Sequence, residues 1–157
     1  MYDTIIKYQN ALNAGDTKTI LGLFADESYS QWNDKLTADN TEKRQGQYDD
    51  LFKREKFETD FAFDSIWING DTAVVRTHHH VGSVVTNFKE QKTIIDLNRE
   101  VFVLSKINGE WKIFFIPSTP TASGRGMIII SRETWLIYNI WSLLCLFPDV
   151  ILFRMPF

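Results

Sequence analysis

The chain of 157 residues has a single cysteine, Cys145. An internal disulfide or a thiolate zinc site needs more than one, so both are excluded. Basic residues are not in excess: 17 Lys and Arg stand against 20 Asp and Glu, a net charge of -3. No basic patch is visible, which argues against a nucleic-acid partner. The opening MYDTIIKYQNALNAGD lacks the basic start and apolar run of a secretory signal. A reducing, cytoplasmic setting is the expectation. Internal repeats are missing, and so is a phosphate-binding glycine loop. The Gly-x-Gly of Gly124 and Gly126 sits in a turn-forming stretch with no strand or helix beside it, so no cofactor is expected.

What the chain does have is aromatic bulk: 12 Phe, 5 Tyr and 5 Trp, within 44% hydrophobic residues. That suffices for a core and for an apolar pocket wall. Ile5, Tyr8, Gln9 and Leu12 follow the spacing of a buried helical stripe. Gly15 reads as its end, and Asp16 or Thr17 as the cap of a second short helix. A short strand is expected over 28–33 and a third helix over 43–56. The period then changes to two. FETDFAFDSIWI (57–68), TAVVRTHHHVGSVV (72–85), TIIDLNREVFVLSKI (93–107) and WKIFFI (111–116) read as strands. Asn69–Gly70–Asp71 and Asn108–Gly109–Glu110 mark hairpin turns. Helices followed by a meander predict an α+β domain with an antiparallel sheet.

The domain is placed over 1–117, a linker over 118–126 and an apolar tail over 127–157. From Thr134 to Phe153 one charge occurs, Asp149, in a run about as long as a bilayer crossing. Pro148 and Asp149 shorten the clean stretch to Trp135–Phe147. Three readings of the tail stand side by side: a membrane anchor, an element packed on the domain or a partner, and a segment foreign to the fold.

KYQNALNAGD followed by ILGLFADE resembles the opening of SnoaL-like, ketosteroid isomerase-related proteins. INGDTAVVRTHHHVG and NREVFVLSKINGEWKI resemble the sheet of the small SnoaL-like group. The resemblance covers about three quarters of the chain. It implies a nuclear transport factor 2-like fold, in which a cone-shaped curved sheet is wrapped by N-terminal helices around a pocket. A homodimer is also implied. The family hosts isomerases, cyclases, hydratases and non-enzymatic pockets, so the fold does not name a reaction. On the ketosteroid isomerase pattern, the tyrosine donor falls on Tyr8 and the protonated acid on or beside Glu100. The general base falls on Trp32, whose indole cannot abstract a proton. Ketosteroid isomerase activity is therefore not expected.

Among the remaining polar residues, His78, His79 and His80 stand out. On a strand, His78 and His80 share a face with Arg76, and Asn98 shares one with Glu100 and Phe102. If those faces meet inside, His78 or His80 becomes the base, and Tyr8 with protonated Glu100 stabilises an oxyanion. Trp32, Tyr48, Arg76, Asn98 and Phe102 are the expected ligand-lining residues. The bland alternative puts the histidines on the solvent side and the aromatics in the core. A zinc set of His78, His80 and Glu100 is a weaker competitor, and no metal is predicted. The expectation is a small apolar carbonyl ligand undergoing proton transfer, hydration or isomerisation. Its rival is a non-catalytic binding or dimerisation module.

Overall fold

The computed structural model describes residues 1–32 and 37–118. The expectations on the linker beyond Ser118, the 127–157 tail and its 134–153 stretch lie outside those residues. Among the described residues no helix is long and apolar enough to cross a membrane.

Helix α1, Tyr2–Ala14, buries Ile5, Tyr8, Ala11 and Leu12 on one stripe. It ends where Gly15 takes the left-handed conformation, φ 65, and its amide turns back to the last carbonyls. Asp16 accepts from the Thr19 amide at 3.0 Å and starts α2, Thr17–Leu23. Strand β1, Phe24–Trp32, begins four residues earlier than the sequence pattern marks. Helix α3, Thr41–Arg54, is capped by Asn40 at 2.9 Å.

Seven strands follow: β2 (Glu55–Glu58), β3 (Phe61–Asn69), β4 (Thr72–His79), β5 (Val84–Asn87), β6 (Lys92–Ile95), β7 (Arg99–Ile107) and β8 (Glu110–Ser118). Three runs that read as single strands are each broken in two. The breaks fall at 59–60, 80–83 and 96–98, and hydrogen bonds bring these levels together. The His80 amide donates to the Asp60 carbonyl at 2.7 Å, and the Asp96 amide to the Ser83 carbonyl at 2.8 Å. A five-stranded sheet, β1-β8-β7-β4-β3, thereby gives way to a three-stranded one, β2-β5-β6. Alternation alone cannot report such a bend, because the side-chain period continues across it.

The larger sheet is mixed. Its β3–β4, β4–β7 and β7–β8 pairs are antiparallel, and β1 adds parallel to β8 at the edge. A strand so remote in sequence from its neighbour needs no tight turn, so a parallel partner is open to it. Helix α1 stitches itself to the first bend. Asn13 donates to the Thr59 carbonyl and accepts from its amide, both at 2.8 Å, and Gln9 accepts from the Phe61 amide at 2.7 Å.

The core lies between the helices and one face of the larger sheet. Ile5, Tyr8 and Ile20 meet Phe61, Val75, Phe102, Leu104 and Ile113 there. Each such apolar side chain contributes about 1.5–3 kcal/mol through burial. Register fixes which residues share that inner face: Phe61 with His79, Phe63 with Thr77 and Glu100, and Ile66 with Val75 and Phe102. A one-residue irregularity in β3 between Phe63 and Ser65 keeps the apolar side chains inward on both sides of it.

Candidate acid–base site on the inner face of the sheet

At the bend, the inner face turns from apolar to polar. His79 is 3% exposed, Asp96 1% and Glu100 7%. His79 Nδ1 stands 3.0 Å from Asp96 Oδ2, and its Nε2 stands 3.6 Å from Glu100 Oε1. Both contacts are ion pairs by distance, without the alignment of a hydrogen bond. β4 and β7 bring these groups together: Thr77 pairs with Glu100, and the His79 amide donates to the Asn98 carbonyl at 2.8 Å. Asp96 lies in the turn between β6 and β7, where its Oδ1 accepts from the Asn98 amide.

Burial acts to lower the His79 pKa, but the contacts with Asp96 and then Glu100, and their charges, outweigh it and raise it to about 9. The imidazole is therefore cationic near neutrality and flanked by two acids.

Tyr8 and Tyr48 join the interior from α1 and α3, with hydroxyls 2.8 Å apart. Burial, then Tyr48 and Glu100, hold the Tyr8 phenol well above its ordinary value, and burial raises Tyr48 too. Both remain neutral. One hydroxyl donates to the other. Aromatic rings surround the pair. Tyr8 stacks on Phe61 with centroids 6.2 Å apart and meets Phe102 edge-on at 5.5 Å, and Phe61 lies 5.1 Å from the His79 ring.

The expected site residues divide. Tyr8, Tyr48, Glu100 and Phe102 stand on the inner side, and Asn98 sits beside them with a buried side-chain oxygen. Arg76 and His80 are exposed, and His78 is half-exposed and bonded to Asp64 at 2.6 Å on the outer side. Their assignment to the pocket is corrected: odd-numbered residues of β4 face inward. Alternation along β4 puts Arg76 and His78 on the face opposite His79. His78 and His80 thus cannot share an ion with Glu100. His80 lines a solvent-open cavity of about 420 Å³ with Asn13, Thr59 and Ser83, whose walls include neither tyrosine nor Glu100. The Trp32 side chain lies outside the described residues. His79 and Asp96 were missed. Nothing local marks Asp96, which reads as one polar position in an apolar run until the chain bends.

No family model and no curated protein sequence matches the chain. Solved structures do match. A ketosteroid isomerase-like protein from Erwinia carotovora atroseptica shares the fold at TM-score 0.69 and 19% identity, over 76% of this chain and 94% of that one. The chain has the nuclear transport factor 2-like fold. Two further structures with this fold are a candidate scytalone dehydratase from Novosphingobium aromaticivorans and a candidate ketosteroid isomerase from Shewanella frigidimarina. The first matches at TM-score 0.61 and 13% identity, over 76% of this chain and 80% of that one. The second matches at 0.55 and 16%, over 74% and 92%. At such identities the likeness is one of fold. Within this nuclear transport factor 2-like fold the polar cluster lies on the inner face of the larger sheet, the face that Tyr8 of α1 and Tyr48 of α3 pack towards.

Proposed function

We propose that the interior binds a small, largely apolar carbonyl compound and catalyses cofactor-free proton transfer on it, as an isomerisation or a hydration–dehydration. The observation that carries this reading is the buried acid–imidazolium–acid set next to a pair of neutral phenols. Such an arrangement supplies the three elements of enolisation. A carboxylate, Glu100, takes a proton from the carbon beside the carbonyl. The Tyr8–Tyr48 phenols stabilise the oxygen as it gains charge. The His79 imidazolium, held by Asp96, returns a proton: to another carbon in an isomerisation, or to a departing hydroxyl in a dehydration that releases water.

This revises the sequence-based roles. The base moves from His78 or His80 to Glu100, and Glu100 acts as a carboxylate rather than as a protonated donor. Removing an oxyanion donor costs about 10²–10³ in kcat where one is used. Tyr8→Phe should show a loss of that order on an accepted enone or hydroxyketone, while Glu100→Gln should abolish turnover. Unchanged turnover in both variants sinks the mechanism.

A second reading rests on the outer face of the same sheet. Register aligns Trp67, Val74, Val103, Phe115 and Tyr29 in one row across all five strands, with Trp67 and Tyr29 exposed. An apolar row of this kind suits pairing with a second copy of the chain, with or without catalysis inside. Sedimentation tests it: a wild type that stays monomeric at high concentration counts against the dimer, and Trp67→Lys should dissociate one that forms.

A further inference from the structure

The solvent-open cavity of about 420 Å³ lies where the bend after β2 meets the turn between β4 and β5. Its wall includes none of Tyr8, Tyr48, His79, Asp96 and Glu100. The side-chain donors on that wall are already used. Asn13 Nδ2 donates to the Thr59 carbonyl at 2.8 Å, and Lys56 Nζ to Glu58 at 2.8 Å. The Ser83 hydroxyl is bonded to the backbone of Asp60. His80 Nδ1 meets the Val81 carbonyl at 3.1 Å, and because a carbonyl only accepts, that nitrogen is the donor. In the neutral ring this leaves Nε2 as a bare acceptor.

The acceptors, by contrast, are open. Asp60 makes its contacts through its amide and carbonyl, and its side-chain oxygens have no hydrogen bond or ion pair among the described residues. Thr59, also on the wall, is 3% exposed, and its Oγ1 has no partner. A buried hydroxyl left unpaired is unfavourable, so a polar partner is wanted beside it. Phe57 and Val81 add apolar surface, Val81 standing 85% exposed. A volume of this size suits a ligand of one ring. A primary ammonium has three N–H donors and accepts nothing. It matches a wall of unpaired acceptors, whereas a carboxylate finds no free side-chain donor there.

We infer that this cavity is a ligand site separate from the interior and takes a small primary amine carrying one apolar ring, its ammonium donating to Asp60, His80 Nε2 and Thr59. The site stands on different residues from the proposed proton-transfer chemistry and does not depend on it.

Three probes with one ring in common test the inference: benzylamine, benzyl alcohol and benzoate. They are titrated into the full chain at about pH 8, where an ordinary imidazole is neutral. Calorimetry reads affinity, and the histidine ring NMR signals read location; His80→Phe identifies the His80 signals by removing them. Benzylamine should bind and shift His80 while leaving His79 unmoved. Benzyl alcohol should bind at least about tenfold more weakly, and benzoate should not bind. Asp60→Asn keeps the shape of a side chain that has no partner in the fold, and should weaken benzylamine at least about tenfold. His80→Phe, which removes the Nε2 acceptor from an exposed position, should weaken it several-fold. Benzoate or benzyl alcohol binding as tightly as benzylamine would overturn the inference, as would undiminished benzylamine binding in Asp60→Asn. Benzylamine that shifts His79 and not His80 would overturn it by placing the amine in the interior. Neither heat nor shift from benzylamine at millimolar concentration would remove the site altogether, with the interior reading untouched.

Discussion

The charge on His79 has a stability consequence that can be measured without any substrate. Its pKa rises from 6.5 to about 9 on folding. At ~1.4 kcal/mol per unit, the folded state gains roughly 3 kcal/mol from holding that proton. The side chain is 1% exposed, so solvent screening takes little of this away. A raised folded value means the contribution is complete below 6.5 and is lost as pH climbs through about 9. Urea unfolding, followed by tryptophan fluorescence across that window, should show the midpoint falling by about 2 M if each molar unit of urea is worth about 1.5 kcal/mol. Tyr8 and Tyr48 do not interfere, because raised phenols act only above the ordinary phenol value. The amino terminus is depressed, mainly by burial, so its contribution runs the other way. It cancels in a comparison with Asp96→Asn, which removes the nearer acid and should flatten the His79 slope. A wild type and an Asp96→Asn variant with the same pH dependence would refute the ion-pair account of this site.

Other perturbations test the frame that holds the site. Asn13→Ala leaves both backbone groups of Thr59 without their side-chain partner and should cost about 2 kcal/mol in equilibrium unfolding; Asn13→Asp, which keeps the acceptor, should cost less. Phe102→Ala opens a cavity between Tyr8, Phe61 and the sheet, and should destabilise by about 3–5 kcal/mol. Gly15→Ala forces a side chain into the left-handed conformation, with its Cβ 3.6 Å from the Phe52 ring, and should lower stability by about 1 kcal/mol. A Gly15→Ala protein as stable as wild type in denaturant would show that the α1 terminus relaxes freely.

Local chemistry was written plainly in the chain. The stripe of Ile5, Tyr8 and Leu12 announces α1 because the helical period is imposed by backbone geometry, whatever lies opposite. Asp16 as a cap, and Asn69–Gly70 and Asn108–Gly109 as turns, follow from side-chain and φ preferences that need no partner; Gly70, Asn108 and Gly109 all take positive φ. The α+β order, helices before a meander, comes from the same signals. Contacts between distant segments were not legible. A strand that bends keeps its alternation, so the breaks at 59–60, 80–83 and 96–98 left no trace in the pattern. Yet those bends carry Asp96 to His79 and Asn13 to Thr59. Three adjacent histidines offered two faces, and both faces of β4 hold valine, Val74 on one and Val75 on the other. Hydrophobicity could not choose between them. The cross-strand register did, by setting Val75 against Phe102 beneath the helices and turning Arg76 and His78 to the outside. The sequence by itself determined the elements and their order, because those depend on neighbours along the chain. Which imidazole is buried between two acids was decided only by tertiary structure, because it depends on how three strands fold back on one another.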